Sequence, residues 1–193
     1  KEGGAAPACR QLAGTPGATL KTERGWRDYG RMRFSLSGSK NSAASPSTSG
    51  MAAALELAAK GAEASGMSDR FEARQGDAFD TLSALNEAGE KFGLVICDPP
   101  AFAPAKPALD AGLRAYERIA RLASGLVEEN GYLVLCSCSH AADLSAFTGA
   151  CLRGIGRAGR RAQLIHTGQA GPDHPLMPQL AESGYLKSLF FRL

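Results

Sequence analysis

Residues 91–106 read KFGLVICDPPAFAPAK. From Phe92 to Cys97 every residue is apolar or glycine, the pattern of a strand buried on both faces. Asp98 ends the run, and Pro99 and Pro100 stop it. Neither proline donates to a ladder, and Pro99 keeps Asp98 out of the helical region. The expected product is a carboxylate fixed at the carboxyl end of a buried strand, with Phe102 on the rigid turn beyond. In open α/β sheets, ligands bind at that edge. An ordinary strand with a proline stop has the same sequence, since Asp before Pro is a common turn opening.

Outward from this stretch, strands and helices alternate. Upstream, MAAALELAAKGAEASG from Met51 puts Leu55, Ala58, Ala59 and Ala62 on one helical face, and Gly66 suits the position after its end. Phe71 to Gln75 is a short strand leading to Gly76 and Asp77. Phe79, Leu82, Leu85 and Ala88 then mark a helix closed by Gly89. Downstream, a helix over about 109–128 carries Leu113, Tyr116, Ile119, Ala120, Ala123 and Val127 as its apolar stripe. Asn130-Gly131 is a turn, and Tyr132 to Cys136 a second buried strand. Ser139 is the expected cap of a helix from about Ala141, with Leu144, Phe147, Cys151 and Ile155 inward and Gly154, Gly156 and Gly159 fraying its end. Ala162 to His166 is a strand, prolines punctuate a long loop, and Tyr185 to Leu193 closes the chain as a strand. The alternation implies a parallel sheet covered on both faces. The last two strands have no helix between them and are expected to pair antiparallel.

At 193 residues the chain fits one domain with a real core. Its 44% hydrophobic and 21% charged content is that of a soluble globular protein, and no apolar run approaches the ~20 residues of a membrane helix. No secretory signal is read at the start. The five cysteines follow no disulfide framework, so an intracellular, cytoplasmic protein is expected. The net charge of +3 is uneven. Residues 1–50 carry Lys1, Arg10, Lys21, Arg24, Arg27, Arg31, Arg33 and Lys40 against Glu2, Glu23 and Asp28, while the rest is slightly acidic. A basic arm suits a nucleic-acid partner, or is simply a solvated arm.

Those first fifty residues show no sustained apolar pattern, and 35–50, SLSGSKNSAASPSTSG, is mostly Ser, Ala and Gly. Such a segment does not offset its ordering entropy. Residues 1–50 are therefore expected to be loop or disordered, with Trp26 and Tyr29 as docking candidates. Residues 51–193 are expected to be the folded domain.

Asp77, Asp98 and Cys138 each follow one of three successive strands, so one sheet edge should gather them. Singly, Asp77 is also a helix cap and Cys138 also an inert buried thiol. Cys136, Cys138 and His140 suggest a metal site, yet the spacing departs from C-x₂₋₄-C and no second Cys/His cluster completes it, so no metal is expected.

The ordered set GDAFD, VICDPPAFAPAK, AYERIARLA, GYLVLCSCSH and DHPLMPQLAESGYLK resembles the catalytic domain of the bacterial large-subunit ribosomal RNA cytosine-C5 methyltransferase family. The likeness runs from about Met51 to Leu193. It implies a Rossmann-like class I methyltransferase sheet with an antiparallel last strand, S-adenosylmethionine as cofactor and ribosomal RNA as partner. It implies Cys138 as nucleophile at cytosine C6 and Asp98 as the group that orients the base or holds its protonated N3. Asp77 would face the cofactor's adenine, with Ala78, Asp98 and Pro99 beside it. Pro100, Phe102, Lys106 and His174 would meet the RNA, Phe102 by stacking and Lys106 at a phosphate; His174 would act in catalysis or fix its loop. The chemistry needs such residues: a thiolate adding at C6 makes C5 electron-rich enough to take a methyl group.

The family's glycine-rich turn, its acidic ribose anchor and its N-terminal RNA-binding domain are not found in residues 1–50. The sheet is thus expected to be incomplete at its N-terminal strands, with residues 1–50 divergent, out of frame or the scar of a truncation. Two other functions remain open. Methylation of an exocyclic amine usually places an aromatic directly after the prolines, where Ala101 stands here. A catalytically dead fragment is the other.

Overall fold

The computed structural model describes residues 18–22, 32–37, 48–66, 68, 71–172 and 174–193. In chain order the elements are β1 (Ala18–Thr22), β2 (Met32–Ser37), α1 (Thr48–Ala64), β3 (Phe71–Gly76), α2 (Ala78–Glu87), β4 (Phe92–Asp98), α3 (Leu109–Leu126), β5 (Val127–Ser137), α4 (Leu144–Arg157), β6 (Gln163–Gln169) and β7 (Lys187–Arg192).

One seven-stranded sheet runs β3-β2-β1-β4-β5-β7-β6. β2 is parallel to β3, and β4 to β5. β7 is antiparallel to both β5 and β6, as expected of the closing strand. β1 is antiparallel to both β2 and β4. Leu36 pairs with Gln75 and with Ala18, and Ala18 pairs with Asp98. Ser137 pairs with Lys187, which pairs with Gln169. One edge therefore collects the ends of β2 to β6 and the starts of β1 and β7.

Several expectations are corrected. The sheet is not missing its first two strands: Ala18–Thr22 and Met32–Ser37 fill those positions, though β1 runs against its neighbours. Trp26, Tyr29 and the remainder of residues 1–47 lie outside the described residues. β5 starts at Val127, which the helical pattern had claimed for α3. The Asn130-Gly131 turn exists, but inside β5. The pairing jumps from Phe92↔Val127 to Leu94↔Tyr132, and Asn130 takes φ 63° in the extra loop. Gly131 is needed there, because a Cβ would lie 3.0 Å from the Gly93 carbonyl oxygen and 2.8 Å from Val127. Leu144 is exposed rather than inward, whereas Phe147, Cys151 and Ile155 are buried as the period predicts.

α3 is the organising helix. Tyr116, Ile119, Ala120, Ala123 and Leu126 are buried, in one core with Val95, Leu133, Leu135 and Phe191 of the sheet. Burying such side chains contributes roughly 1.5–3 kcal/mol each for the larger ones. α4 packs close on α3 at Gly154, where a Cβ would strike the Glu117 carbonyl oxygen and lie 2.8 Å from Ala120. Gly154 is thus a packing residue rather than a fraying one. Glu117 is nearly buried and is held by Arg153 and Arg157, one helical turn apart on α4. Arg160 donates to the carbonyls of Ser124, Val127 and Glu128, closing the C-terminus of α3. Asn86 Nδ2 bonds the Leu82 and Leu122 carbonyls and ties α2 to α3.

Candidate active site

Gly76 ends β3, and Asp77 starts α2 as its N-cap. Asp77 Oδ1 accepts from the amides of Phe79 (2.9 Å) and Asp80 (3.2 Å), two donors the helix cannot satisfy itself. The carboxylate is thereby fixed at the sheet edge, and Ala78 is the first residue of the helix.

β4 leaves the sheet at Asp98, which is exposed while Pro99 is buried. The loop that follows is pinned from two sides. Ala103 N–H donates to Ser139 Oγ at 3.0 Å, and Ala141 N–H donates to the Ala103 carbonyl at 3.2 Å. α3 presses on the same loop at Gly112, where a Cβ would lie 2.7 Å from Ala103 Cβ and 2.8 Å from the Phe102 carbonyl. The Phe102 ring meets Tyr116 edge-on at 4.9 Å and lies near-parallel to Phe79 at 6.0 Å, so it packs against α2, α3 and the core.

Cys138 follows β5 between two serines that point into the protein. Ser137 Oγ donates to the Tyr116 hydroxyl at 2.9 Å, and that hydroxyl lies 2.7 Å from Ser139 Oγ. Ser137, Ser139 and Tyr116 are all buried. With both neighbours held inward, Cys138 is left half-buried, and its Sγ makes a long 4.0 Å contact to the Pro99 carbonyl oxygen. The thiol thus lies against the turn that carries Asp98. Ser139 does not cap α4; Asp143 does, accepting from Ala146 N–H at 2.7 Å.

The charges around the thiol oppose one another. Burial raises the Cys138 pKa and the Asp98 carboxylate raises it further, while its own amide and the Lys187 ammonium lower it; the net direction is up. Partial desolvation by the surrounding turn also raises Asp98, although the residue still reaches solvent. Lys187, on the first position of β7, donates to the carbonyls of Ser139 and Tyr185, both at 2.9 Å. Burial lowers its pKa, and the nearby Cys138 and Asp143 raise it. Of the other thiols, Cys97 and Cys151 are buried and pushed far up, and Cys136 is pushed up to about 12 by burial.

The structure therefore brings Asp77, Ala78, Asp98, Pro99, Pro100 and Cys138 to one edge. Lys106 is exposed at the start of a short 3-10 turn, Lys106–Ala108. His174 is exposed on the loop before β7, where its amide closes a turn onto the Gly171 carbonyl at 2.9 Å. Sequence reasoning missed Tyr116 as a polar residue, because its place on the apolar stripe explained it fully. It also gave Lys187 no role; its position opposite Ser137 becomes visible only from strand pairing. Among the described residues no group of three His, Cys, Asp or Glu side chains could hold a metal ion, and no helix is long and apolar enough to cross a membrane.

No protein-family model matches the chain. Among curated proteins, MJ1653 of Methanocaldococcus jannaschii, provisionally named a ribosomal RNA large subunit methyltransferase, is 38% identical over 138 residues, 71% of this chain and 35% of that protein. Ribosomal RNA large subunit methyltransferase I of Aeromonas salmonicida is 34% identical over 140 residues, 72% of this chain and 35% of its own length. The chain thus spans about a third of the length of the curated relatives it matches. Among solved structures, SMU.776, complexed with SAH, superposes with TM-score 0.60 at 22% identity, over 72% of this chain and 36% of that one. That likeness shows a Rossmann-like class I methyltransferase fold. Over the stretch shared with the curated relatives, the chain is homologous to the ribosomal RNA large subunit methyltransferase I family.

Proposed function

We propose that this chain carries the base-side half of an S-adenosylmethionine-dependent methyltransferase that modifies cytosine C5 in large-subunit ribosomal RNA, in the cytoplasm, through a covalent adduct with Cys138. The observation that carries the reading is the placement of Cys138. Its neighbours Ser137 and Ser139 are locked onto Tyr116, and its sulfur lies against the Asp98-Pro99-Pro100 turn. Cys97 and Cys151 are buried in the core, so neither offers a thiol to a large substrate. The names of the relatives support RNA as the substrate class.

Cytosine C5 is a weak nucleophile. The Cys138 thiolate adds at C6, the Asp98 carboxyl holds a proton at N3, and the electron pair moves to C5. S-adenosylmethionine, when bound, supplies the electrophilic methyl group that C5 takes. Loss of the C5 proton restores the double bond and expels the thiolate. The raised pKa of Asp98 suits a carboxyl that shares a proton with a base nitrogen. The target base must leave its stack to reach this edge. Phe102 and Pro100 would wall it, Lys106 would meet a phosphate, and His174 would shape the loop opposite.

The described residues fit the adenine side of the cofactor. Asp77 offers an acceptor carboxylate anchored on two helix amides, beside Ala78, at the same edge as Asp98 and Pro99. They do not supply the glycine-rich turn. β1 runs against β4, so its last residue, Thr22, lies at the far edge of the sheet.

The test uses RNA carrying 5-fluorocytosine, whose C5 fluorine cannot depart as a proton does. Wild-type protein with S-adenosylmethionine should form an adduct stable to denaturant, and Cys138→Ala should form none and give no methyl transfer on normal RNA. Full methyl transfer by Cys138→Ala would overturn the reading. Heat of S-adenosylmethionine binding by calorimetry tests the cofactor half: a folded sample with none would mark a chain unable to catalyse alone.

A further inference from the structure

Lys187 is the one described cation whose charge acts on both Cys138 and the loop that bears it. The antiparallel register sets it opposite Ser137, one residue before the thiol. Its ammonium donates to the carbonyl of Ser139, one residue after the thiol, and to the carbonyl of Tyr185. An ammonium has three donors, so two are spent on fixing its position. One bond anchors the ammonium to its own segment at Tyr185, and the other ties it across to the carbonyl that directly follows the thiol.

We propose that Lys187 is a positioning residue for the nucleophile: an ammonium clamped by two carbonyls beside Cys138 that holds the cysteine loop and stabilises the thiolate against the nearby Asp98 carboxylate. This rests on the reading of Cys138 as the nucleophile. The groups that face the thiol are Asp98 at the end of β4, Tyr116 on α3, Cys136 on its own strand and Lys187 on β7. Asp98 works against the thiolate, and Lys187 is the cation among them. The arrangement keeps Cys138 a thiol at rest, when both burial and Asp98 favour the proton. Once a bound base takes up the Asp98 carboxyl, the Lys187 charge is unopposed, and the thiol gives up its proton to solvent to form the thiolate.

The experiment is the pH profile of Cys138 alkylation by iodoacetamide, read at that residue by peptide mass mapping. Lys187→Met removes the charge and should move the midpoint upward by about one unit. A one-unit rise cuts the thiolate fraction about tenfold, and the higher nucleophilicity of a more basic thiolate returns about threefold, leaving alkylation near neutral pH about threefold slower. Lys187→Arg should return the midpoint toward wild type, which a purely structural loss would not do. If Lys187→Met does not fold, Lys187→Gln keeps a donor amide without the charge and should show the same upward shift. A folded Met or Gln variant with the wild-type midpoint overturns the proposal. Because alkylation needs no turnover, the two readings fail separately. Full methylation by Cys138→Ala removes the nucleophile reading while leaving the titration as measured. An unshifted titration removes the role of Lys187 while Cys138 remains the nucleophile.

Discussion

The hydroxyl oxygen of Tyr116 lies 2.7 Å from Ser139 Oγ and 2.9 Å from Ser137 Oγ, so one phenol on α3 holds the residues on both sides of Cys138. Tyr116→Phe keeps the ring packing against Phe102 and Phe147 but leaves buried serine hydroxyls short of a partner. The expected cost is about 1–3 kcal/mol in urea unfolding. Methyl transfer should fall through kcat rather than KM, because the aim of the thiol is lost while the RNA-facing surface is kept. A variant as stable and as active as wild type would show that the three hydroxyls do no more than fill space.

Asp98→Asn should separate thiol acidity from catalysis. The Asp98 charge raises the Cys138 pKa, so removing it lowers that pKa and speeds alkylation near neutral pH. Methyl transfer should nevertheless be lost, since the group that holds the N3 proton is gone. Partial desolvation also raises the pKa of Asp98, so its ionised form is mildly disfavoured in the folded chain. The neutral amide should therefore raise the thermal midpoint at pH 7, a gain in stability set against function. Slower alkylation would contradict the electrostatics, and retained methyl transfer would contradict the role.

The sheet was legible where packing alone decided it. The run from Phe92 to Cys97 and the apolar stripe on α3 depend only on burial, and both elements formed within a few residues of the expected bounds. β2 was missed although Met32, Phe34 and Leu36 alternate in the sequence, the period of a strand. Reading Leu36 with the serine-rich tract broke that alternation in two. β1 is five residues with a single large apolar side chain type in its sequence, too short to rise above a loop. In the site, Asp77, Asp98 and Cys138 were legible because strand ends share an edge. Ser139 was misassigned as a cap, because a serine before a helix has two uses and only the fold shows that Asp143 takes the cap.

Gly112→Ala tests the clamp between α3 and the Asp98 loop. The added Cβ would meet Ala103 Cβ and the Phe102 carbonyl well inside ordinary contact distance, and backbone must move. The expected loss is about 1–3 kcal/mol, with a lower rate of methyl transfer because the displaced loop carries Asp98 and Pro99. Gly156→Ala on α4 is the control: nothing lies within 4 Å of its added Cβ, and the change should stabilise by about 0.5–1 kcal/mol through helix propensity. Equal responses at the two glycines would dismiss the clamp.

Alkaline pH should weaken the fold through its thiols. Cys136 has an ordinary pKa of 9.0 when unfolded and about 12 when folded, because burial penalises its thiolate. Cys97 and Cys151 are shifted the same way. Between those two values the folded chain keeps protons that the unfolded chain has released, so stability is full below pH 9 and declines as the pH rises toward 12. Each thiol contributes a slope approaching ~1.4 kcal/mol per pH unit in that window. Lys187 opposes this, since its lowered pKa makes the folded state the one that binds fewer protons near its own titration. The urea midpoint measured at pH 8, 9.5 and 10.5 should thus fall over the first step and more steeply per pH unit over the second. Cys136→Ala, changed at a half-buried position, should reduce that fall by up to one thiol's share without moving the midpoint at pH 8 by a comparable amount. A midpoint that stays level to pH 10.5 would mean that the folded chain ionises these thiols as readily as the unfolded one, and the packing between β4, β5 and α4 would need to be far looser than the buried cysteines indicate.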